Sequence, residues 1–220
     1  MSIFSQLTAK PWLPAQGRVD NLYQGRDSAP PAARIGLKMF LAVASVLFML
    51  LIMAYAGRMA FEDWRPAPES RLLWLNTFVL ILSSLAMQWA QFTARRGLLA
   101  DLKIGLLAGG MTALAFLVGQ MIAWRQLAAM GLFDVTNPAI AFFYLITGLH
   151  ALHLLGGLIA WGRTADKVWR LGYGPARVRQ SVELCTLYWH FLLAVWLVLF
   201  GLLFSGSNNM AFILAICGIT

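Results

Sequence analysis

The sequence predicts an all-α integral membrane protein, a bundle of five transmembrane helices with the N-terminus cytoplasmic and the C-terminus periplasmic. Three observations carry that prediction. Sixty per cent of the 220 residues are hydrophobic and only 12% are charged, more apolar surface than a soluble chain of this length hides in one core. The apolar residues gather into five runs of about 20 residues or more, each long enough at about 1.5 Å per residue to cross ~30 Å of hydrocarbon. The basic residues fall in alternate gaps between those runs.

Residues 1–33 form a polar N-terminal tail with Pro11, Pro14, Pro30 and Pro31, a composition expected to stay extended or unstructured on the cytoplasmic side. Trp12 and Tyr23 are candidate headgroup anchors. The tail has no early apolar core of the signal-peptide kind, so the first span is expected to act as its own signal. The five-helix domain is expected over 34–206. Its spans run from about Gly36 to Met59, Leu72 to Thr93, Leu102 to Trp124, Ala139 to Trp161 and Val182 to Phe204. Residues 207–220 form an apolar C-terminal tail too short to span alone, set off by the polar break Ser205 to Asn209.

Orientation follows from charge. Lys10, Arg18, Arg26, Arg34 and Lys38, then Arg95, Arg96 and Lys103, then Arg163, Lys167, Arg170, Arg177 and Arg179 lie on one side; Arg58, Arg65, Arg71 and Arg125 lie on the other. By the positive-inside rule the richer side is cytoplasmic. The net charge of +8 is thereby explained by topology and anionic lipid headgroups, and nothing resembles a nucleic-acid module. Cys185 and Cys217 lie in apolar segments without CxxC spacing, which argues against a disulfide framework or thiolate metal site.

Small residues mark expected helix approaches: Gly105 and Gly109 as a GxxxG pair in the third span, and Gly148, Gly156 and Gly157 in the fourth. Such positions let membrane helices come close enough for dispersion contacts. Trp64, Trp74, Trp89, Trp124 and Trp161 sit near span ends, as interfacial belts require. Gln88, Gln91 and Gln120 are expected to be interhelical hydrogen-bonders or interface residues.

All three histidines, His150, His153 and His190, lie within spans, where an ionisable group is a functional candidate by default. His150 and His153 share a helix face. His153 is ten residues from Arg163 and His190 eleven from Arg179, so the two stand at similar depth. Glu183 lies two turns before His190 on a similar face and four residues after Arg179. Three interpretations compete: a bis-imidazole haem, a proton relay through Glu183 and the histidines, and a structural polar cluster of His150, His153, Glu183 and His190 between the fourth and fifth helices. Tyr188, Trp189, Phe191 and Trp196 crowd His190 against a haem slot. A relay lacks a continuous polar file above His150. The scarcity of other polar groups favours the structural interpretation.

The run Thr147-Gly148-Leu149-His150-Ala151-Leu152-His153, followed by Gly156-Gly157 and later by Glu183, Tyr188-Trp189-His190-Phe191 and Val195-Trp196-Leu197, resembles subunit III of haem–copper terminal oxidases. The family shows Thr-Gly-x-His-x-x-His in one helix and a Glu six residues before Trp-His-Phe in the last, and the order and spacing match over about Gly36 to Phe204. The resemblance is to the short five-helix form, lacking the two N-terminal helices of the longer type. Two family carboxylates are replaced, by Ala44 in the first span and by Leu193 three residues after His190, so functions tied to them do not carry over. The resemblance implies a non-catalytic, stabilising subunit of a respiratory oxidase in a bacterial inner membrane. Catalytic, cofactor and metal residues would be absent from this chain, with haem and copper in partner subunits. Its partners would be catalytic subunit I, other oxidase subunits and membrane phospholipids. Cytochrome c is the expected electron donor; a quinol oxidase or a nitric oxide reductase accessory subunit is the alternative, and a haem-binding cytochrome b-type protein a further one.

Overall fold

The computed structural model describes residues 32–59, 61, 64, 71–130, 138–170 and 174–204. The expected tails at 1–31 and 205–220, with Trp12 and Tyr23, lie outside the described residues. Among those described, five helices follow in order: α1 Ala32–Arg58, α2 Arg71–Arg96, α3 Leu99–Ala129, α4 Pro138–Trp169 and α5 Pro175–Phe204. All five are long and apolar enough to cross a membrane. The chain divides into two compact units, Met1–Lys38 and Met39–Thr220. The described part of the first is the opening of α1; the rest of α1 and all of α2–α5 form the second.

The helices outrun the apolar runs that announce them. α3, α4 and α5 have 31, 32 and 30 residues, about 45–48 Å at 1.5 Å per residue, against ~30 Å of hydrocarbon. Hydropathy marks the lipid-facing stretch, whereas backbone hydrogen bonding continues through the headgroups. α4 therefore extends eight residues past Trp161, ending where Asp166 pairs with Arg170 at 2.7 Å.

Between α2 and α3 only Gly97 and Leu98 remain outside the helices. Gly97 takes a left-handed φ of 74°. Leu98 N–H donates to Thr93 C=O at 3.0 Å and Gly97 N–H to Ala94 C=O at 3.3 Å. This is the Schellman arrangement, which satisfies carbonyls orphaned at a helix end and favours glycine at the left-handed position. α4 and α5 both begin with proline, which lacks the N–H that a first helical turn leaves unpaired. At α5, Gly174 C=O receives the N–H groups of Arg177 and Val178.

α2 and α3 make the most extensive backbone approach; α2 also packs on α5, and α4 on both α5 and α3. A Cβ at Gly105 would stand 3.0 Å from the Ala90 backbone, and one at Gly109 2.8 Å from Met87 Sδ. In α4, a Cβ at Gly157 would meet Tyr188 at 2.8 Å, whereas one at Gly148 or Gly156 would make ordinary contacts, 3.8 Å to Trp124 and 3.9 Å to Tyr188. From Met39 onward α1 is different. None of its described Cα atoms comes within 8 Å of a Cα on another helix, and it packs through Phe48, Tyr55 and Met59 against Ile146, Leu199 and Leu202.

Candidate functional site

The buried polar groups converge on α2. A serine in an apolar helix must satisfy its hydroxyl locally or across an interface, and this helix places Ser83 and Ser84 side by side at its middle. Ser83 Oγ donates to Gly109 C=O on α3 at 2.6 Å and accepts from Trp189 Nε1 on α5 at 2.9 Å. One hydroxyl thus ties three helices. Ser84 Oγ lies 2.6 Å from His190 Nδ1, and His190 Nε2 lies 2.8 Å from Gln88 Oε1. With the ring proton on Nε2, His190 donates to Gln88 and accepts from Ser84, so a neutral imidazole is satisfied on both sides.

The same seam continues in both directions. Trp196 Nε1 donates to Thr77 Oγ1 at 2.9 Å, while Thr186 Oγ1 donates to Met87 C=O at 3.2 Å. At the α2–α3 turn Arg95 Nε meets Glu183 Oε1 at 3.2 Å. Asn76 Nδ2 reaches Gln120 Oε1 on α3 at 3.4 Å.

The four residues expected to cluster between α4 and α5 take separate partners. His190 and Glu183 turn to α2. His153 Nδ1 donates to Leu149 C=O on its own helix at 2.9 Å, and its backbone carbonyl accepts from Tyr188 Oη at 2.8 Å. His150 is 0% exposed and neither ring nitrogen has a hydrogen-bond partner. It sits among the rings of Trp196, Phe116 and Phe48, with centroids at 5.2, 6.0 and 6.4 Å. The hydrogen bonds that link α4 and α5 are thus made by Tyr188 Oη and by Lys167 Nζ, which donates to Ser181 Oγ at 3.0 Å, rather than by imidazoles.

Ala44, where the resembling family carries an acid, is buried one turn from Phe40 and Phe48. Phe48 lies 5.3 Å from the His153 ring. Leu193 is half-buried on α5.

Sequence reasoning missed Thr77, Ser83 and Ser84 as anchors; a Ser-Ser pair in an apolar span was the available signal. It also placed Trp124 and Trp161 in the interfacial belts. Their indoles instead donate inward, Trp124 to Thr147 Oγ1 at 3.1 Å and Trp161 to Leu106 C=O at 2.9 Å. Trp74 and Trp89 do face outward.

The arrangement suits fastening more than chemistry. His190 has both nitrogens engaged and His150 is enclosed by rings, so α4 and α5 offer no facing pair of open imidazoles. Among the described residues no group of three or more His, Cys, Asp or Glu side chains is placed to hold a metal ion.

Comparison with known proteins gives a consistent answer. Residues 23–207 match the family model described as cytochrome c oxidase subunit III. The chain is 34% identical over 188 residues to cytochrome c oxidase subunit 3 of Synechocystis sp., covering 82% of this chain and 78% of that one. It is 31% identical over 180 residues to a probable cytochrome c oxidase subunit 3 of Mycobacterium bovis, covering 80% and 88%. With cytochrome c oxidase subunit 3 of Thermostichus vulcanus it shares 29% over 174 residues, covering 77% and 85%.

Proposed function

The chain belongs to the cytochrome c oxidase subunit III family, a multi-pass membrane subunit of a haem–copper oxidase, and we propose that it serves there as a scaffold without a catalytic centre of its own. In this reading it packs against catalytic subunit I in a bacterial inner membrane, with lipids filling its outer faces. Haem, copper and oxygen reduction belong to the partner chains, and cytochrome c is the donor to the complex. Its N-terminus faces the cytoplasm, as the distribution of basic residues favours.

The observation that carries the reading is the three-helix tie at Ser83, continued by Ser84–His190–Gln88. Polar groups that could have faced a substrate or cofactor are spent instead on holding α2, α3 and α5 in register. His150, His153, Glu183 and His190 are, on this view, structural residues, as are Gly105, Gly109, Gly148, Gly156 and Gly157.

Affinity purification of the tagged chain from mild-detergent extracts tests it. Co-purification of a haem–copper catalytic subunit is expected, with an absorption spectrum unchanged by His190→Ala. A Soret band retained by the isolated polypeptide and abolished by His190→Ala would sink the scaffold reading in favour of haem ligation.

A further inference from the structure

We propose that the outward face of α5, between α1 and α2, receives a transmembrane helix of another oxidase subunit that carries a hydrogen-bonding group opposite Gln88. The proposal rests on the family-based reading above and specifies which face that role uses.

Lipid tails offer no hydrogen bonds, so a polar side chain directed out of a membrane bundle calls for a partner at its own depth. Within the expected spans, the exposed hydroxyl and amide side chains among the described residues are Ser45 and Gln88. Both flank α5. Gln88 Oε1 faces His190, which is only partly buried on the outward side of α5, and this leaves the amide donor of Gln88 for a group outside the bundle. Ser45 lines a groove of about 210 Å³ between α1 and α5 with Met49, Ile52, Phe191, Ala194 and Val198; its hydroxyl donates to Leu41 C=O on its own helix at 2.8 Å, so the donor left for an outside partner is that of Gln88. Ser45 is seven residues from Lys38 and Gln88 seven from Arg95, which places each about 10 Å from the basic rim. The polar groups therefore stand at one level on either side of the same helix.

The floor of this face is small where a second helix would lie closest. Ala194 and Gly201 are exposed and two turns apart, and a Cβ at Gly201 would meet nothing within 4 Å. Nothing among the described residues makes use of the missing side chain; an approaching backbone would. Small exposed residues also occur on α3, at Ala115, and on α4, at Gly156 and Ala160, beside large apolar ones, but within their expected spans these two helices expose no hydroxyl or amide side chain among the described residues.

Photo-crosslinking in the assembled oxidase in native membranes tests the assignment. A benzophenone amino acid at Ala194 or Val198 is expected to capture another oxidase polypeptide, and one at Val118 or Leu152 to capture lipid. Lipid alone at both α5 positions, or a second copy of this chain there, would overturn the proposal, as would subunit adducts confined to Val118 or Leu152. Failure of any oxidase polypeptide to co-purify is seen before irradiation and counts against the family-based role rather than the choice of face. A second measurement separates docking from internal packing. Gln88→Leu is expected to lower retention of the chain by the detergent-extracted complex about threefold, the scale of one intramembrane hydrogen bond, while Ser84→Ala, which loses only the inner bond to His190, leaves it near wild type. The reverse ranking overturns the proposal.

Discussion

At the scale of single residues, two histidines of the spans call for opposite outcomes. His190 is hydrogen-bonded on both nitrogens, so His190→Leu strands Ser84 and Gln88 and should lower the thermal midpoint of the solubilised complex. Intramembrane hydrogen bonds average ~0.6 kcal/mol with a maximum near ~1.7, so a loss of about 1–2 kcal/mol is expected. His150 has no partner to lose. Replacing an unsatisfied buried polar group by an apolar one of similar size is neutral or stabilising, so His150→Leu should leave that midpoint unchanged or raise it. A collapse of the His150 variant alone would show that an uncharacterised group pairs with it. The sequence located these residues in depth but not in azimuth. Counting from Arg163 and Arg179 sets how far along its helix each imidazole lies, yet two side chains at one level can point at different neighbours. His190 points to α2 because Ser84 and Gln88 lie one turn apart on the facing side, a pairing more than a hundred residues away in the chain.

Among the elements, the α2–α3 turn is constrained by backbone conformation and the α3–α4 seam by side-chain size. Gly97→Val puts a β-branched residue at φ 74° and should cost about 1–2 kcal/mol, read as a lower midpoint and a smaller assembled fraction. Gly110→Ala should be worse tolerated than Gly162→Ala. A Cβ at Gly110 runs into the indole of Trp161, which is held by Leu106 C=O, while Gly162 opens on empty space. Altered tryptophan fluorescence in the Gly110 variant, and not in the Gly162 variant, is the expected signature. The existence and order of all five helices were legible, because each carries its own apolar run. Their ends were not, since helical hydrogen bonding outlasts the hydrophobic stretch. The role of α2 as hub was also hidden: its few hydroxyls look incidental until the two neighbouring helices, α3 and α5, are brought to them.

For the whole molecule, the asymmetry of basic residues predicts which loops a reagent can reach. In a background lacking Cys185 and Cys217, the Phe61→Cys variant should react with a membrane-impermeant maleimide added to intact spheroplasts, whereas the Gly174→Cys variant should react only after permeabilisation. The opposite pattern would invert the proposed orientation. The way α1 is attached bears on how the protein is made. Its seat consists of Ile146 on α4 and Leu199 and Leu202 on α5, residues translated about a hundred or more positions after α1 itself. Of the five described helices, ribosomal synthesis delivers α1 to the bilayer first, and its landing surface is completed only when α5 arrives. The earliest of the five is thus the last to find its place, and until then it waits in lipid while the other four assemble.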